Sequence, residues 1–214
     1  DDFAEAIRAN GLHFNYIVFD MCLMGCVEVA YELRDIVDYV AFSPTEVLSD
    51  GFAYKTILQR LLYSPSANVV GVCIDYFDQY VKSGKSATVS AVDCRRMDYL
   101  VSVCRRLFAE YYGRIMALDQ NKVQPYCTQR RYFFDLRDAL AKAGVSDGEL
   151  SQLDAALKQC VLYHNETAKF SAGGENFKLE NCCGLSMYLP DSKRPILNES
   201  YEELAWNKAT LLVK

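Results

Sequence analysis

Short apolar runs alternate with longer amphipathic segments along most of the chain. The short runs are rich in β-branched and aromatic residues, as strands are, whereas the longer segments repeat apolar residues every three or four positions, as helices do. Strands that alternate with helices favour an α/β fold with a mostly parallel sheet flanked by helices. The pattern predicts strands at 15–21, 38–43, 87–93 and 183–189, helices at 23–36, 54–63, 67–82, 95–119, 135–143, 148–164 and 199–213, and a polar loop before residue 183.

The run from Tyr16 to Met21 is the most informative strand, because it ends at Cys22 and passes directly into a helix pattern. A continuous apolar run of this kind is typical of a strand buried on both faces. Open α/β sheets hold their active sites in the crevice beyond the carboxyl ends of their strands. Cys22 is therefore the first candidate nucleophile.

Asp20 lies two positions before Cys22. Since side chains alternate along a strand, the two should project to the same side, about 7 Å apart. A carboxylate so close disfavours the thiolate, so Asp20 is better suited to binding a cation than to activating the thiol. The residues alone leave an alternative open, in which Cys22 is a small buried apolar residue and Asp20 caps the following helix.

Residues 19–34, FDMCLMGCVEVAYELR, resemble the active-site segment of the clostripain family of cysteine peptidases, whose fold is that of caspases, gingipains and legumains. The resemblance spans nearly the whole chain and implies a caspase-like three-layer fold, of which this chain supplies part. Further segments that resemble the family, in the family's order, are 39–46 with 51–54, then 88–93, and then 183–190 with Tyr201, Leu204 and Trp206.

The resemblance also implies an endopeptidase that cleaves after arginine or lysine through a cysteine–histidine dyad, with Cys22 as nucleophile. In the family, the acidic residue two before the cysteine is the base of the specificity pocket, which here is Asp20. A carboxylate pairs with guanidinium through two hydrogen bonds and with ammonium as a point charge, so arginine should be preferred. Asp50 is a second candidate for this pocket, although an aspartate before glycine is equally a turn former.

The catalytic histidine of the family lies upstream of the cysteine strand in a His-Gly context, and this chain has no such motif. Its two histidines are His13 and His164. Nine extended residues, about 30 Å, separate His13 from Cys22, and His164 is predicted at a solvated helix end. We therefore expect residues 1–214 to be the cysteine-bearing part of one caspase-like peptidase domain. The part with the catalytic histidine is expected on a separate amino-terminal chain of the same precursor.

Charge and hydropathy narrow the range of partners. The net charge of −5 and the lack of a basic stripe argue against nucleic acid, and no apolar run approaches the ~18 residues of a membrane span. Expected partners are the amino-terminal chain and protein or peptide substrates that contain arginine or lysine. No cofactor is expected, and the sequence neither requires nor excludes calcium. The resemblance implies a secreted, periplasmic or cell-surface bacterial protein.

Nine cysteines are present, without the paired spacings of a zinc site or a small disulfide scaffold. Most fall at apolar positions, which favours buried free thiols. Cys22 and Cys26 are four residues apart, so a redox pair is an alternative. Two other functions remain open: a noncatalytic caspase-like binding module and an unrelated α/β thiol hydrolase.

Overall fold

The computed structural model describes residues 2–63 and 66–213. Within these ranges helices and strands alternate along the chain in an α/β fold. The helices are α1 (Asp2–Ala9), α2 (Val27–Glu32), α3 (Tyr54–Leu61), α4 (Val69–Lys82), α5 (Met97–Met116), α6 (Leu136–Lys142), α7 (Asp147–Cys160), α8 (Pro195–Glu202) and α9 (Ala205–Thr210). The strands are β1 (Phe14–Val18), β2 (Val37–Phe42), β3 (Thr88–Asp93), β4 (Phe133–Asp135), β5 (Val161–Glu166), β6 (Lys169–Ala172), β7 (Glu175–Lys178) and β8 (Ser186–Tyr188).

A four-stranded sheet with the order β1-β2-β3-β5 forms the centre of the fold. β1 and β2 are parallel, with Val18 opposite Ala41, whereas β3 is antiparallel to both β2 and β5. The sheet that was predicted to be mostly parallel is therefore mixed in this chain. Among the described residues β1 pairs only with β2, so its other edge is open. β4 pairs with β8, and β6 pairs with β7 in a hairpin.

Helices cover both faces of the central sheet. Side chains alternate along β2, so Val40 and Phe42 join the core formed with α2, α5 and α7, while Ala41 joins the core formed with α4. Trp206 of α9 is fully buried in the first core and packs edge-to-face on Tyr31, with ring centroids 5.8 Å apart. The predicted α/β architecture of a sheet between helical layers is confirmed.

Three predicted helices have clearly different bounds in the structure. The helix expected to end at 164 ends at Cys160, and Val161–Glu166 forms β5 instead. The prediction was wrong there because pairing with β3, which places His164 opposite Ser90, overrides the local helical pattern. The helix expected from 23 begins at Val27, because Leu23 takes a left-handed backbone conformation with φ of 62°. The helix expected at 199–213 is divided into α8 and α9, and α1, β4 and the β6–β7 hairpin were not predicted.

Candidate active site

The segment that follows β1 lies against the residues that follow β2. The Phe19 N–H donates to the carbonyl of Ala41 at 2.8 Å and extends the parallel pairing by one residue. A turn at 21–23 follows, after which Leu23 donates to Thr45 O and Gly25 donates to Ser43 O, each at 2.9 Å. Cys22 is thereby held beyond the carboxyl ends of two parallel strands, where the sequence predicted it.

Gly25 makes this close approach possible. A Cβ atom at residue 25 would lie 2.4 Å from the backbone nitrogen of Pro44, a contact that requires backbone movement. On its other side, the Gly25 carbonyl accepts hydrogen bonds from the backbone N–H of Ser186, at 2.9 Å, and from the Ser186 hydroxyl, at 3.2 Å. The segment that carries Cys22 is thus fixed between the end of β2 and the start of β8.

The Cys22 side chain is exposed and contacts the backbone of Val47. The Val47 N–H donates to Cys22 Sγ at 3.4 Å, and the same sulfur lies 3.7 Å from the Val47 carbonyl oxygen. Val47 was not singled out from the sequence, because its role depends on its backbone. The alternative that Cys22 is a buried apolar residue is not supported, since its thiol faces solvent.

The other eight cysteines are free thiols that are buried or, for Cys182, partly buried. Burial raises the pKa of Cys26 well above its ordinary value, and the nearby carboxylate of Glu28 raises it further. A thiol of this kind is a poor source of thiolate. The suggestion of a redox pair formed by Cys22 and Cys26 therefore finds no support in the structure.

Asp20 is half-buried next to the loop that leads into α3. The Tyr54 hydroxyl donates to Asp20 Oδ2 at 2.6 Å, a bond that raises the pKa of Tyr54. Gly51, with φ of +64°, also lies against this carboxylate, and a Cβ there would be 2.5 Å from Asp20 Oδ2. Asp20 does not cap α2, whose N-cap is Cys26. Within the described ranges no cation pairs with Asp20, so its negative charge is available to a ligand.

Asp50 lies one residue before Gly51 but has a different environment. Its carboxylate is exposed and forms an ion pair with Lys85, with Nζ 2.6 Å from Oδ2. The hydrogen bond from Lys85 lowers the pKa of Asp50. The Gly51 N–H donates to the Leu48 carbonyl at 2.9 Å, so Asp50 also lies in a turn, as expected for an aspartate before glycine. The structure therefore brings Asp20 and Asp50 to either side of Gly51.

Neither histidine lies near Cys22. His13 precedes β1, at the end of the strand opposite Cys22, and its Nε2 is 3.1 Å from Asp38 Oδ1. His164 lies on β5, which is three strand spacings, or about 14 Å, from β1. The His164 Nδ1 is 3.3 Å from Glu166 Oε2, and this hydrogen bond raises the pKa of the imidazole.

Beneath Asp20 and Cys22 lies a stack of aromatic rings that sequence reasoning missed. Phe52 stacks on Tyr76 with ring centroids 4.3 Å apart, and Tyr76 packs on Tyr80 at 4.5 Å. The buried Tyr76 hydroxyl makes no hydrogen bond of normal geometry within the described residues. Burial raises the pKa of Tyr76 most, followed by the neighbouring Tyr80 and, more weakly, by Asp20 and Cys22. Helix periodicity marked Tyr76 and Tyr80 only as core residues of α4, so no signal in the sequence singled them out.

No group of three or more metal-binding side chains comes together among the residues that the structure describes. The expectation that no cofactor is used stays a prediction. In the same ranges, no helix is both long and apolar enough to cross a membrane.

Comparison with known proteins identifies the family of this chain. The model of the clostripain family of C11 peptidases matches residues 1–212. The chain belongs to the clostripain family. The family resemblance inferred from the segment around Cys22 is thereby confirmed. No curated protein matches the chain significantly.

Solved structures of clostripain-family proteins share the fold. An inactive zymogen C11 protease from Parabacteroides distasonis is 28% identical over 98% of this chain, with a TM-score of 0.89. A clostripain from Bacteroides thetaiotaomicron in complex with the peptide inhibitor BTN-VLTK-AOMK is 26% identical over 97% of this chain, with a TM-score of 0.84. The secreted C11 cysteine protease iotapain, also from B. thetaiotaomicron, is 26% identical over 97% of this chain, with a TM-score of 0.85.

The chain corresponds to different shares of these proteins. It covers 62% of the Parabacteroides chain and 58% of the iotapain chain, but 92% of the chain in the inhibitor complex. The caspase-like fold expected for this family is confirmed by these neighbours.

Proposed function

We propose that this chain is the cysteine-bearing part of a cysteine endopeptidase that cleaves after arginine or lysine, with Cys22 as nucleophile. The observation that carries the proposal is the position of the Cys22 thiol. It is exposed beyond the carboxyl ends of β1 and β2, whereas the other cysteines are buried or partly buried. Clostripain-family membership and the peptide-inhibitor complex of a relative support the same reaction class.

The second member of the dyad is proposed to be a histidine on the amino-terminal chain of the same precursor. His13 and His164 are both remote from Cys22, and the outer edge of β1 is open among the described residues. A parallel strand added at that edge would end beside Cys22, since carboxyl ends of parallel strands meet at one edge of a sheet. Exposed apolar side chains in this part of the chain, which a docked strand and its connections would cover, are Phe3, Leu12, Phe14 and Met21.

In the proposed reaction the histidine takes the Cys22 thiol proton and the sulfur attacks the carbonyl carbon of the scissile bond. The backbone N–H of Cys22 is a proposed donor to the oxyanion. The histidine then protonates the leaving amine, and water hydrolyses the acyl-enzyme. The Val47 N–H donates to Cys22 Sγ at 3.4 Å and so helps to orient the sulfur. These steps use no metal or cofactor.

Asp20 is proposed as the base of the specificity pocket. Its carboxylate has no cation partner among the described residues, and it is oriented by the Tyr54 hydroxyl at 2.6 Å. A guanidinium group bonds to such a carboxylate through two parallel hydrogen bonds, so arginine is the preferred residue before the cleaved bond. Since iotapain, a relative of similar fold, is a secreted protein, we also infer that this protein acts outside the cytoplasm.

The test is peptide hydrolysis by the two-chain enzyme, made by co-expression of this chain with its amino-terminal chain. Cys22→Ala should abolish cleavage of an arginine reporter peptide and leave the circular dichroism spectrum unchanged. Cys26→Ala is the matched control, because it removes a thiol four residues away that is buried, and it should retain activity.

Loss of activity in Cys26→Ala alone would contradict the assignment of the nucleophile. A wild-type two-chain protein that binds peptides without cleaving them would instead favour the noncatalytic module.

A further inference from the structure

Two carboxylates, those of Asp20 and Asp50, lie next to Gly51, and among the described residues only Asp50 has a cation partner. Lys85 Nζ is 2.6 Å from Asp50 Oδ2, whereas Asp20 accepts a hydrogen bond from the neutral hydroxyl of Tyr54. Asp50 directly precedes Gly51, and a Cβ at Gly51 would lie 2.5 Å from Asp20 Oδ2, so both carboxylates belong to the surroundings of this glycine. The local charge of Asp20, Asp50 and Lys85 is therefore a single net negative charge.

The ion pair contributes little to holding the fold together. The Lys85 side chain is 42% exposed and that of Asp50 is 39% exposed. Solvent-exposed pairs of this kind contribute typically less than about 1 kcal/mol to stability. Lys85 follows the Gly84 turn at the end of α4, so it reaches Asp50 from a different element than the one that carries Asp20. The main effect of the pair is to reduce the net negative charge next to the proposed specificity pocket.

We propose that Lys85 sets the substrate preference by acting through Asp50: it neutralises Asp50, so that Asp20 alone meets the side chain before the cleaved bond. This inference rests on the proposed peptidase function and specifies how its pocket is charged. One carboxylate satisfies the planar fork of a guanidinium group, whereas an ammonium group is a point charge that gains more from a second nearby carboxylate. Lys85 therefore favours arginine over lysine substrates.

Lys85→Met tests this, because it keeps the aliphatic stem and removes the charge. In the two-chain enzyme, the ratio of kcat/KM for arginine over lysine reporter peptides should fall about three- to fivefold, a change expected for one exposed charge. A lower KM for the lysine peptide should account for most of the change, with kcat little altered. The effect should shrink at high salt, since exposed charges are screened.

The matched control is Lys82→Met. Lys82 lines the same surface cavity of about 530 Å³ as Asp50, but its Nζ is 3.6 Å from Asp78 Oδ2, so it pairs with a different carboxylate. This variant should leave the arginine-to-lysine ratio unchanged. The double variant Lys85→Met with Asp50→Asn should return the ratio towards the wild-type value, because it again leaves Asp20 as the single carboxylate.

Three outcomes would overturn the proposal: an unchanged ratio in Lys85→Met, an equal shift in Lys82→Met, or a double variant that keeps the ratio of Lys85→Met. Binding of the same peptides to the two-chain Cys22→Ala protein, measured by fluorescence anisotropy, gives a readout without turnover. If neither peptide binds there, the pocket assignment and this inference both fail. Cleavage of the reporter peptides by the wild-type two-chain enzyme tests the peptidase proposal separately.

Discussion

At the scale of single residues, Asp20 and Cys22 lie two positions apart, and the proposed reaction requires a negative charge on each of them. The chain that follows β2 contacts both of them, since the Tyr54 hydroxyl donates to Asp20 and the Val47 N–H donates to Cys22 Sγ. In the proposed reaction a Cys22 thiolate would form two residues from the Asp20 carboxylate, and like charges repel. A substrate arginine paired with Asp20 would offset this repulsion, and substrate binding would then help to activate the nucleophile.

Asp20→Asn separates these two effects. The amide oxygen can still accept from Tyr54, but a substrate guanidinium loses its counter-charge, which costs about 2–5 kcal/mol at a desolvated site, or roughly 30-fold or more in kcat/KM. Without substrate, alkylation of Cys22 by a small uncharged reagent should become faster. Reporter cleavage and alkylation rates of the two-chain enzyme measure the two effects.

Tyr54→Phe is the control for this variant, because it removes the 2.6 Å hydrogen bond and keeps the Asp20 charge. It should reduce cleavage less than Asp20→Asn does. If Asp20→Asn still cleaves arginine peptides at the wild-type rate, the pocket base lies elsewhere and Asp50 is the next residue to change. If only the alkylation rate stays constant, Asp20 determines specificity without affecting the thiol.

At the scale of secondary-structure elements, local patterns predicted the parts of the fold that depend on local sequence. The strand expected at 87–93 is β3 (Thr88–Asp93), and the helix expected at 67–82 is α4 (Val69–Lys82). β5 was missed because its partner β3 lies about 70 residues away, so its conformation depends on a long-range pairing. The β6–β7 hairpin was missed because the residues before 183 are polar. Its two strands pair mainly with each other at the surface.

The residues of the site also divide into those that the local sequence identifies and those that only folding brings together. Cys22 and Asp20 could be found from one contiguous segment and its family resemblance. The contacts that define their environment could not be found in that way, because Val47, Tyr54, Tyr76 and Lys85 come from other elements and reach the site only through folding.

The turn between β1 and α2 gives a prediction for a single element. In Gly25→Ala the new Cβ would meet the Pro44 nitrogen at 2.4 Å, so the backbone on one side must move. Such overpacking typically costs about 1–3 kcal/mol, and it should displace Cys22 and lower kcat. Urea unfolding of the two-chain enzyme and reporter cleavage measure the two effects.

Gly113→Ala is the matched control, because Gly113 lies within α5 and a Cβ there meets no atom within 4 Å. Alanine replaces glycine favourably inside a helix by about 0.5–1 kcal/mol, so this variant should be slightly more stable and fully active. Wild-type activity in Gly25→Ala would mean that the Cys22 turn tolerates movement.

At the scale of the whole molecule, the open edge of β1 is expected to affect both the solubility of the chain and its activity. Within the part of the chain that the structure describes, this edge has no partner strand, and exposed apolar side chains such as Phe14 and Met21 lie nearby in sequence. Edges of this kind tend to pair with other chains. The amino-terminal chain proposed above would cover this edge of the sheet and, in the proposed reaction, supply the histidine.

The purified 214-residue chain should accordingly be inactive and prone to aggregation. In the proposed reaction the histidine of the amino-terminal chain acts as general acid and base, a role that contributes typically 10²–10⁴-fold in rate. Reporter cleavage and size-exclusion chromatography, with and without the co-expressed amino-terminal chain, provide the measurement. Robust turnover by the chain alone would show that His164 or another group of this chain acts as the base.

The burial of the cysteines has a practical consequence for work on this protein. In the folded state Cys22 is the exposed thiol among nine, and burial keeps the pKa of buried thiols such as Cys73 and Cys104 high. A thiol-counting reagent should therefore titrate about one equivalent rapidly in native protein and all nine after denaturation. The number of rapidly reacting thiols therefore measures unfolding, and in native protein the rapid signal measures the concentration of free Cys22 thiol.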